Sequence, residues 1–326
     1  MADIFPQTDA RLLRRLRDSW GACVIAHKNP DGDAIASSLA MREILREMGK
    51  ECVLLNDGPF LRPDISRFSS EFLQECPESF LERKPLVIVL DCSTPDRPGN
   101  AFGKIEALPR IVIDHHSTGL PFSEEGMSYI VPDSPSTTLC IDVVREALGV
   151  RLTKKLAYYL YFGFLTDTGS YHFLSERQAP SALRRVASFT DAGVSPYDVY
   201  DEIHDGAKLK DIKDAASIVA NAESLFDGQL IICVQPKELS ESRISDQVYN
   251  QLMESAGLKL IVFFKEKKLG GYELGFRSKH HAGIDVGKLA AQFGGGGHMH
   301  ASGATLLLPF DEARSLIIAE AAKYLS

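Results

Sequence analysis

Ile111-Val-Ile-Asp-His-His-Ser-Thr-Gly119 is the stretch on which the fold of this 326-residue chain turns. Three β-branched apolar residues in a row, Ile111, Val112 and Ile113, read as a strand buried in a parallel sheet. The strand stops abruptly at Asp114, His115 and His116, and a small polar turn follows. In an open α/β sheet, ligands sit just beyond the carboxyl ends of the strands. An acid and two imidazoles there suit a metal ion and an anionic substrate. The same residues would serve equally as polar caps on a core strand. What decides is whether other strands bring matching groups to the same edge.

An opening amphipathic helix is followed by the apolar run 22–26, which leads into His27-Lys-Asn-Pro-Asp31-Gly-Asp33. Pro30 and Gly32 fix a tight loop, and Asp33 is placed to cap the helix running to about residue 48. Capping and turn roles would account for Asp33 and Asp31 but leave His27, at a strand tip, unexplained. A helix amino terminus beside these groups suits anions. Residues 51–55 form a second strand, and the wholly apolar 86–90 a third that ends on Asp91. Pro135-Ser-Thr-Thr138 starts a helix of about ten residues. The apolar segment 156–165 leads to Thr166-Asp167-Thr168-Gly169, where Asp167 and the glycine also fit a plain helix ending. Strands alternating with helices over residues 1–190 predict a doubly wound, mostly parallel α/β sheet.

The length suits two cores. Hydrophobic residues make up 44% and charged residues 25%, the balance of a soluble globular protein. The amino terminus carries charges where a secretory signal needs an apolar run, and no window is long enough to span a membrane. The six cysteines form no C-x-x-C pair, so neither a disulfide framework nor a thiolate zinc site is expected, and Cys23 and Cys233 read as core residues. These features predict a cytoplasmic protein. A net charge of −8 argues against tight binding of long nucleic acid, which needs a broad basic footprint. It leaves room for a small phosphorylated substrate if the pocket holds cations.

Residues 191–225, with a polar helical stretch from about 208, read as a helical linker. Beyond it, 226–326 predicts a smaller α+β domain, with a strand at 230–234 and a hairpin of 258–264 with 272–276 around Lys267 to Gly271. Helices at 285–293 and 311–324 complete it. Phe293-Gly-Gly-Gly-Gly-His298-Met-His-Ala-Ser-Gly303 breaks every periodicity around it. Four consecutive glycines carry a large entropy cost, so a plain turn explains them poorly. They let backbone N–H groups approach an anion closely, and His298 could hydrogen-bond a phosphate. Arg277 offers a planar fork suited to phosphate. A flexible loop with an incidental histidine is the alternative. Lys267 and Lys268 read as solvated hairpin-tip charges, and His280, His281 and His300 as exposed or supporting groups.

The blocks HKNPDGD, a strand ending in Asp91, IVIDHHS and LTDTGS, in that order, resemble the DHH phosphoesterase superfamily. FRSK and FGGGGHMHASGAT resemble the DHH-associated domain, and the combination is similar to the bifunctional nanoRNase and 3′-phosphoadenosine 5′-phosphate phosphatase group. The resemblance runs from about residue 22 to 305 and implies an active-site cleft between a catalytic domain, 1–190, and a substrate-binding domain, 226–326. It implies two divalent ions, with His27 and Asp31 on one, Asp33, His115 and Asp167 on the other, and Asp91 bridging. Asp114 would support the site and His116 touch the scissile phosphate. Arg277, Ser278, Gly295, Gly296, Gly297 and His298 would hold substrate. His300 departs from the apolar or long side chain expected at its place.

Four carboxylates and two imidazoles without thiolates suit octahedral ions, manganese ahead of magnesium because of the histidines, with cobalt a further option. The implied activity is manganese-dependent hydrolysis of very short oligoribonucleotides or dinucleotides such as pApA, and of 3′-phosphoadenosine 5′-phosphate. A RecJ-like exonuclease would call for a basic groove with stacking aromatics, which an acidic chain with 9% aromatic residues does not suggest. A pyrophosphatase-like hydrolase would share only the first domain. A silent nucleotide sensor should have lost a ligand, whereas all six positions are filled. No membrane partner is expected, and the first domain has edges and helices through which two copies could pair as a homodimer.

Overall fold

The computed structural model describes residues 3–92, 94–116, 122–239, 244–297 and 299–325. Two compact units emerge, Met1–Gly206 and Ala207–Ser326. In the first, α1 (Ala10–Asp18) precedes β1 (Gly21–Ile25), α2 (Gly32–Glu47) and β2 (Glu51–Leu55). Two single-turn helices, α3 (Pro63–Ser66) and α4 (Glu78–Leu81), lead to β3 (Leu86–Leu90), β4 (Arg110–Asp114) and β5 (Ser128–Ile130). Helices α5 (Thr137–Leu148), α6 (Lys154–Asp167), α7 (Ala179–Asp191) and α8 (Pro196–His204) follow.

The five strands pair in parallel, in the order β2-β1-β3-β4-β5. Every residue of β1 and β3 is buried, because the sheet is covered on both faces. Val24, Ile88, Ile111 and Ile113 pack with α2, α5 and α6. Cys23, Ile25, Val87 and Val112 pack on the other side against Phe80 and Phe102. Period-two alternation thus feeds two cores from uninterrupted apolar runs. In this strand order the direction of winding reverses between β1 and β3, and a crevice opens beyond their carboxyl ends. His27 and Asp91 lie there.

One detail differs from the sequence reading. Asp31, not Asp33, caps α2, its carboxylate accepting from Ala34 N at 3.0 Å. The helix starts at Gly32, so Asp31 holds the extended position from which a side chain reaches the N3 amide. Asp33 lies inside the first turn and is turned to another partner.

The second unit holds α9 (Leu209–Ala220), β6 (Glu223–Leu225), β7 (Leu230–Gln235), α10 (Ser245–Met253), β8 (Leu260–Glu266) and β9 (Tyr272–Ser278). It continues with α11 (Val286–Ala291), β10 (Gly296–Gly297), β11 (Ala301–Leu306) and α12 (Phe310–Ala321). The mixed sheet runs β10-β11-β9-β8-β7-β6, with β7 and β8 parallel and the other pairs antiparallel. Val262, Phe264, Leu274 and Phe276 face α11 and α12, whereas Ile261 and Phe263 face α9 and α10. The stretch 191–225 supplies α8, whose Val199 is buried in the first core, and α9, whose Ala215 and Ile218 are buried in the second unit. No helix among the described residues is long and apolar enough to cross a membrane.

Gly163 marks the tightest passage in the first core. A Cβ there would meet Thr138 Cγ2 at 2.4 Å and Asp33 Oδ1 at 2.7 Å. Alanine in a helix interior gains about 1 kcal/mol over glycine, whereas forcing a methyl into a packed core costs about 1–3 kcal/mol. The clash should win, because both obstructing groups are anchored. Gly163→Ala is expected to lower unfolding stability by about 1–2 kcal/mol net, read from the urea midpoint. An unchanged or raised midpoint would show that the helices separate freely.

Candidate metal centre

Beyond β1 the chain enters a loop tied to its surroundings by backbone and amide bonds. Asn56 Nδ2 donates to His27 O at 3.0 Å, and Asn29 N to Gly58 O at 2.8 Å. His27 Nδ1 lies 2.9 Å from Lys28 O. A carbonyl only accepts, so Nδ1 carries the hydrogen and Nε2 is left to face Asp31 Oδ2 at 3.7 Å and Asp91 Oδ2 at 3.4 Å. His115 repeats the arrangement. Its Nδ1 lies 3.1 Å from Ser134 O, and its Nε2 faces Asp167 Oδ2 at 3.3 Å and Asp91 Oδ1 at 3.7 Å.

Asp91 therefore divides its two oxygens between two histidines. Its backbone is left-handed, with φ 57° directly after a β-strand, an uncommon state for a residue with a side chain. That turn keeps its carboxylate, 1% exposed, at the centre of the cluster. Thr137 Oγ1 donates to Asp91 Oδ1 at 2.8 Å. The first amides of α5 complete the support: Thr137 N donates to Asp33 Oδ2 at 2.6 Å and Thr138 N to Asp33 Oδ1 at 3.1 Å. A helix amino terminus, with its unpaired N–H groups, thus sustains a carboxylate that is 1% exposed. Asp114, fully buried, accepts from His115 N and His116 N at 2.7 and 3.2 Å and from His116 Nδ1 at 2.8 Å. His116 is thereby oriented, with Nε2 as the ring atom that can meet a substrate.

Three groups have ligand atoms within 4.8 Å of one another: His27, Asp31 and Asp91; Asp33, His115 and Asp167; and Asp91, His115 and His116. A neutral imidazole lone pair facing carboxylates is repelled unless a proton or a cation lies between. The facing carboxylates favour a proton on both rings. Burial disfavours charge on His27, but Asp31 and Asp91 outweigh it and raise its pKa to about 10. Burial acts likewise on His115, where Asp167, Asp91 and Asp33 prevail and raise it to about 9. Asp33 is pushed well above the usual range by burial, then by the charges of Asp91 and Asp167. Burial raises Asp167 to about 7 against the pull of His115. Asp31 goes down despite burial, through the imidazole of His27 facing it at 3.7 Å. His27 Nε2 is buried with no hydrogen-bond partner among the described residues. Carboxylates and imidazoles placed this way fit divalent cations of hard to borderline character.

The sequence-predicted residues of the second unit are placed as follows. The Arg277 guanidinium lies 4.5 Å from the Tyr249 ring and donates to Phe276 O. Ser278 points to the opposite face of β9, its buried hydroxyl donating to Ile284 O at 2.8 Å and lying 3.0 Å from His300 Nδ1. Gly295 and Gly297 are small for a reason inside the domain: a Cβ would strike Gly303 O at 2.1 Å and Ser302 Cα at 2.6 Å. Gly296 has open space around it. His298, and Ser117, Thr118 and Gly119 of the opening stretch, lie outside the described residues. Thr137, Thr138, Ser134 and Asn56 were not singled out in the sequence. The run Pro135 to Thr138 signals only a helix start, and nothing in it names Asp33 as the partner.

Residues 22–164 match the DHH family, N-terminal domain, and residues 228–326 match the DHHA1 domain. The chain belongs to the DHH family of phosphoesterases, with a DHHA1 domain following its DHH domain. It is 28% identical over 299 residues to the bifunctional oligoribonuclease and PAP phosphatase NrnA of Thermus thermophilus, over 90% of this chain and 87% of that protein. Among solved structures, an exopolyphosphatase-related protein from Bacteroides fragilis shares the fold with a TM-score of 0.86 at 20% identity, over 96% of this chain and 95% of that one. The exonuclease RecJ bound to manganese shares it at 0.53 and 14%, over 100% and 95% of the two chains.

Metal ligation requires neutral imidazoles and ionised carboxylates, so binding must displace the protons held by His27 and His115. Manganese binding is expected to release protons, and its affinity to fall as pH drops below about 10, more steeply below about 9 and again below about 7, as His27, His115 and Asp167 take up protons in turn. Calorimetry in buffers of different ionisation enthalpy checks this. Binding heats independent of buffer would mean these groups are not the ligands.

Proposed function

We propose that this chain is a manganese-dependent phosphohydrolase that degrades very short oligoribonucleotides and dinucleotides of the pApA type to mononucleotides, and dephosphorylates 3′-phosphoadenosine 5′-phosphate. The observation that carries the reading is the Asp91 carboxylate, with one oxygen towards His27 and the other towards His115. The likeness to the bifunctional oligoribonuclease and PAP phosphatase, spanning both domains, supports the substrate class. The net charge of −8 supports small substrates over long strands.

In this reading His27, Asp31 and Asp91 hold one ion, and Asp33, His115, Asp167 and Asp91 the other. Bound divalent cations would supply Lewis acidity, bringing the pKa of water towards neutrality and offsetting charge on the phosphoryl oxygens. The chain's own groups do the positioning. Asp114 keeps the hydrogen of His116 on Nδ1, so that Nε2 meets the scissile phosphate and can hold the proton near the leaving oxygen. Thr137 and the α5 amides hold the carboxylates of Asp91 and Asp33 in place. Within the second unit, the Arg277 guanidinium, 4.5 Å from the Tyr249 ring, and the backbone of Gly296 and Gly297 are the groups suited to a phosphate, with His298 beside them in sequence; the Gly295 amide is not among them, because it donates to Ala290 O at 3.0 Å.

Asp91→Ala should lower turnover of pApA with manganese by roughly a thousandfold or more, since charge stabilisation by the ions is worth several kcal/mol. Substantial residual turnover would remove Asp91 from the shared position. Arg277→Ala should raise KM for pApA by roughly tenfold or more, as loss of one charge-assisted contact does, while sparing a generic phosphodiester. A turnover panel of pApA, a trinucleotide, a long single strand, 3′-phosphoadenosine 5′-phosphate and pyrophosphate tests the substrate class. Sustained digestion of the long strand, or turnover confined to pyrophosphate, would overturn it.

A further inference from the structure

The helix that ends on Asp167 runs directly into a loop of unusual backbone. Gly169, Ser170 and Tyr171 are all left-handed, with φ of 53°, 55° and 75°. Left-handed backbone at two successive residues with side chains, one of them aromatic, is strained and persists only where its surroundings impose it. Here the imposing residue is Thr168, which is 1% exposed. Its hydroxyl donates to Phe164 O at 2.7 Å and accepts from Tyr171 N at 3.2 Å. Its carbonyl accepts from Phe173 N at 2.9 Å. Two aromatic residues are thus hung from the residue next to Asp167 in the chain.

Those aromatics are not core. Phe173 is 54% exposed and Tyr171 38%. Tyr171 is braced from below, its hydroxyl 2.8 Å from that of Tyr161 and its ring edge-on to Phe164. The Phe173 ring lies against Gly169, where a Cβ would meet it at 2.6 Å. His172 meets that ring edge-on, at 5.0 Å between centroids. This backbone holds the two rings partly out to solvent while tying them, through Thr168, to the residue next to Asp167 in the chain.

We propose that Phe173 and Tyr171 form a nucleobase platform, on which the base of a nucleotide stacks while its phosphate lies at the metal centre. The proposal rests on the reading that the centre handles nucleotide phosphates, and adds to it the group that separates a nucleotide from a bare phosphate ester. Every base has a π-face, so such a platform tolerates different bases while rejecting phosphates without one. Sequence tolerance of that kind suits short oligonucleotides. The platform belongs wholly to the first unit and is independent of Arg277.

The test compares AMP, the product of both proposed reactions, with ribose 5-phosphate, which lacks the base. Dissociation constants for both are measured by calorimetry in saturating manganese, on the wild-type chain, Phe173→Ala, Phe173→Trp, Tyr171→Ala and Thr168→Val, after manganese stoichiometry shows each centre intact. Wild type should prefer AMP by roughly tenfold or more, the usual worth of one stacked base. Phe173→Ala should erase most of that preference while leaving ribose 5-phosphate binding unchanged, and Phe173→Trp should keep it. Thr168→Val, which removes the hydroxyl that positions Tyr171, should reduce the preference without removing a ring. A wild type indifferent to the base overturns the proposal. So does a preference untouched in both Phe173→Ala and Tyr171→Ala, or a Phe173→Ala loss equal for the two ligands. If wild type hydrolyses neither pApA nor 3′-phosphoadenosine 5′-phosphate yet keeps the AMP preference and its loss in Phe173→Ala, the substrate reading fails and the platform stands.

Discussion

The first unit is built around the problem of burying carboxylates. Asp33 and Asp91 are 1% exposed and Asp114 is fully buried, all close to the ends of strands from one sheet. An isolated carboxylate in such a place would protonate or unfold the site. Each of the three is instead met by a specific donor set: two amides of α5 for Asp33, the Thr137 hydroxyl for Asp91, and two amides and an imidazole for Asp114. The placement of α5 is therefore not incidental packing. Its amino terminus has to arrive where β3 ends, and Gly163 on α6 leaves the room for it to do so.

Topology brings the donors together. Because the strand order reverses its sense between β1 and β3, the loops after these two strands part and leave a crevice. His27 comes from one loop and Asp91 from the other, while His115 arrives from β4 and Asp167 from the end of α6. No two of these four segments are adjacent in the chain, so the cluster exists only in the folded unit. Both faces of the sheet are covered, which leaves its carboxyl edge as the place where polar side chains gather without cutting into a core.

Much of this was legible in the sequence, for a physical reason. A strand buried on both faces is a nearly uninterrupted apolar run, and an acid or imidazole directly after it stands out. Residues 86–90 before Asp91 and 111–113 before Asp114 are of that kind, and the alternation of strands with helices gave the sheet. What could not be read was the identity of partners. Asp31 and Asp33 are two residues apart, and only the exact start of α2 decides which one caps it. Thr137 and Thr138 carry a helix-start signature, but such a signature says that amides need an acceptor without saying which. The glycine run was recognisable by its entropy cost. The close approach of β11 that Gly295 and Gly297 permit depends on a strand pairing that composition does not encode.

The sign of the electric field at the site follows from the same carboxylates. In the state that metal ligation requires, with neutral imidazoles and ionised carboxylates, Asp31, Asp33, Asp91 and Asp167 would carry four negative charges, within a chain whose net charge is −8. A phosphorylated substrate approaching that surface is repelled, and the repulsion is strongest where solvent screening is weakest. Two divalent cations held there would offset those charges and leave a phosphate to be held by directional contacts. On the proposed reading, an acidic protein would handle anions where its acids are gathered, without a basic groove.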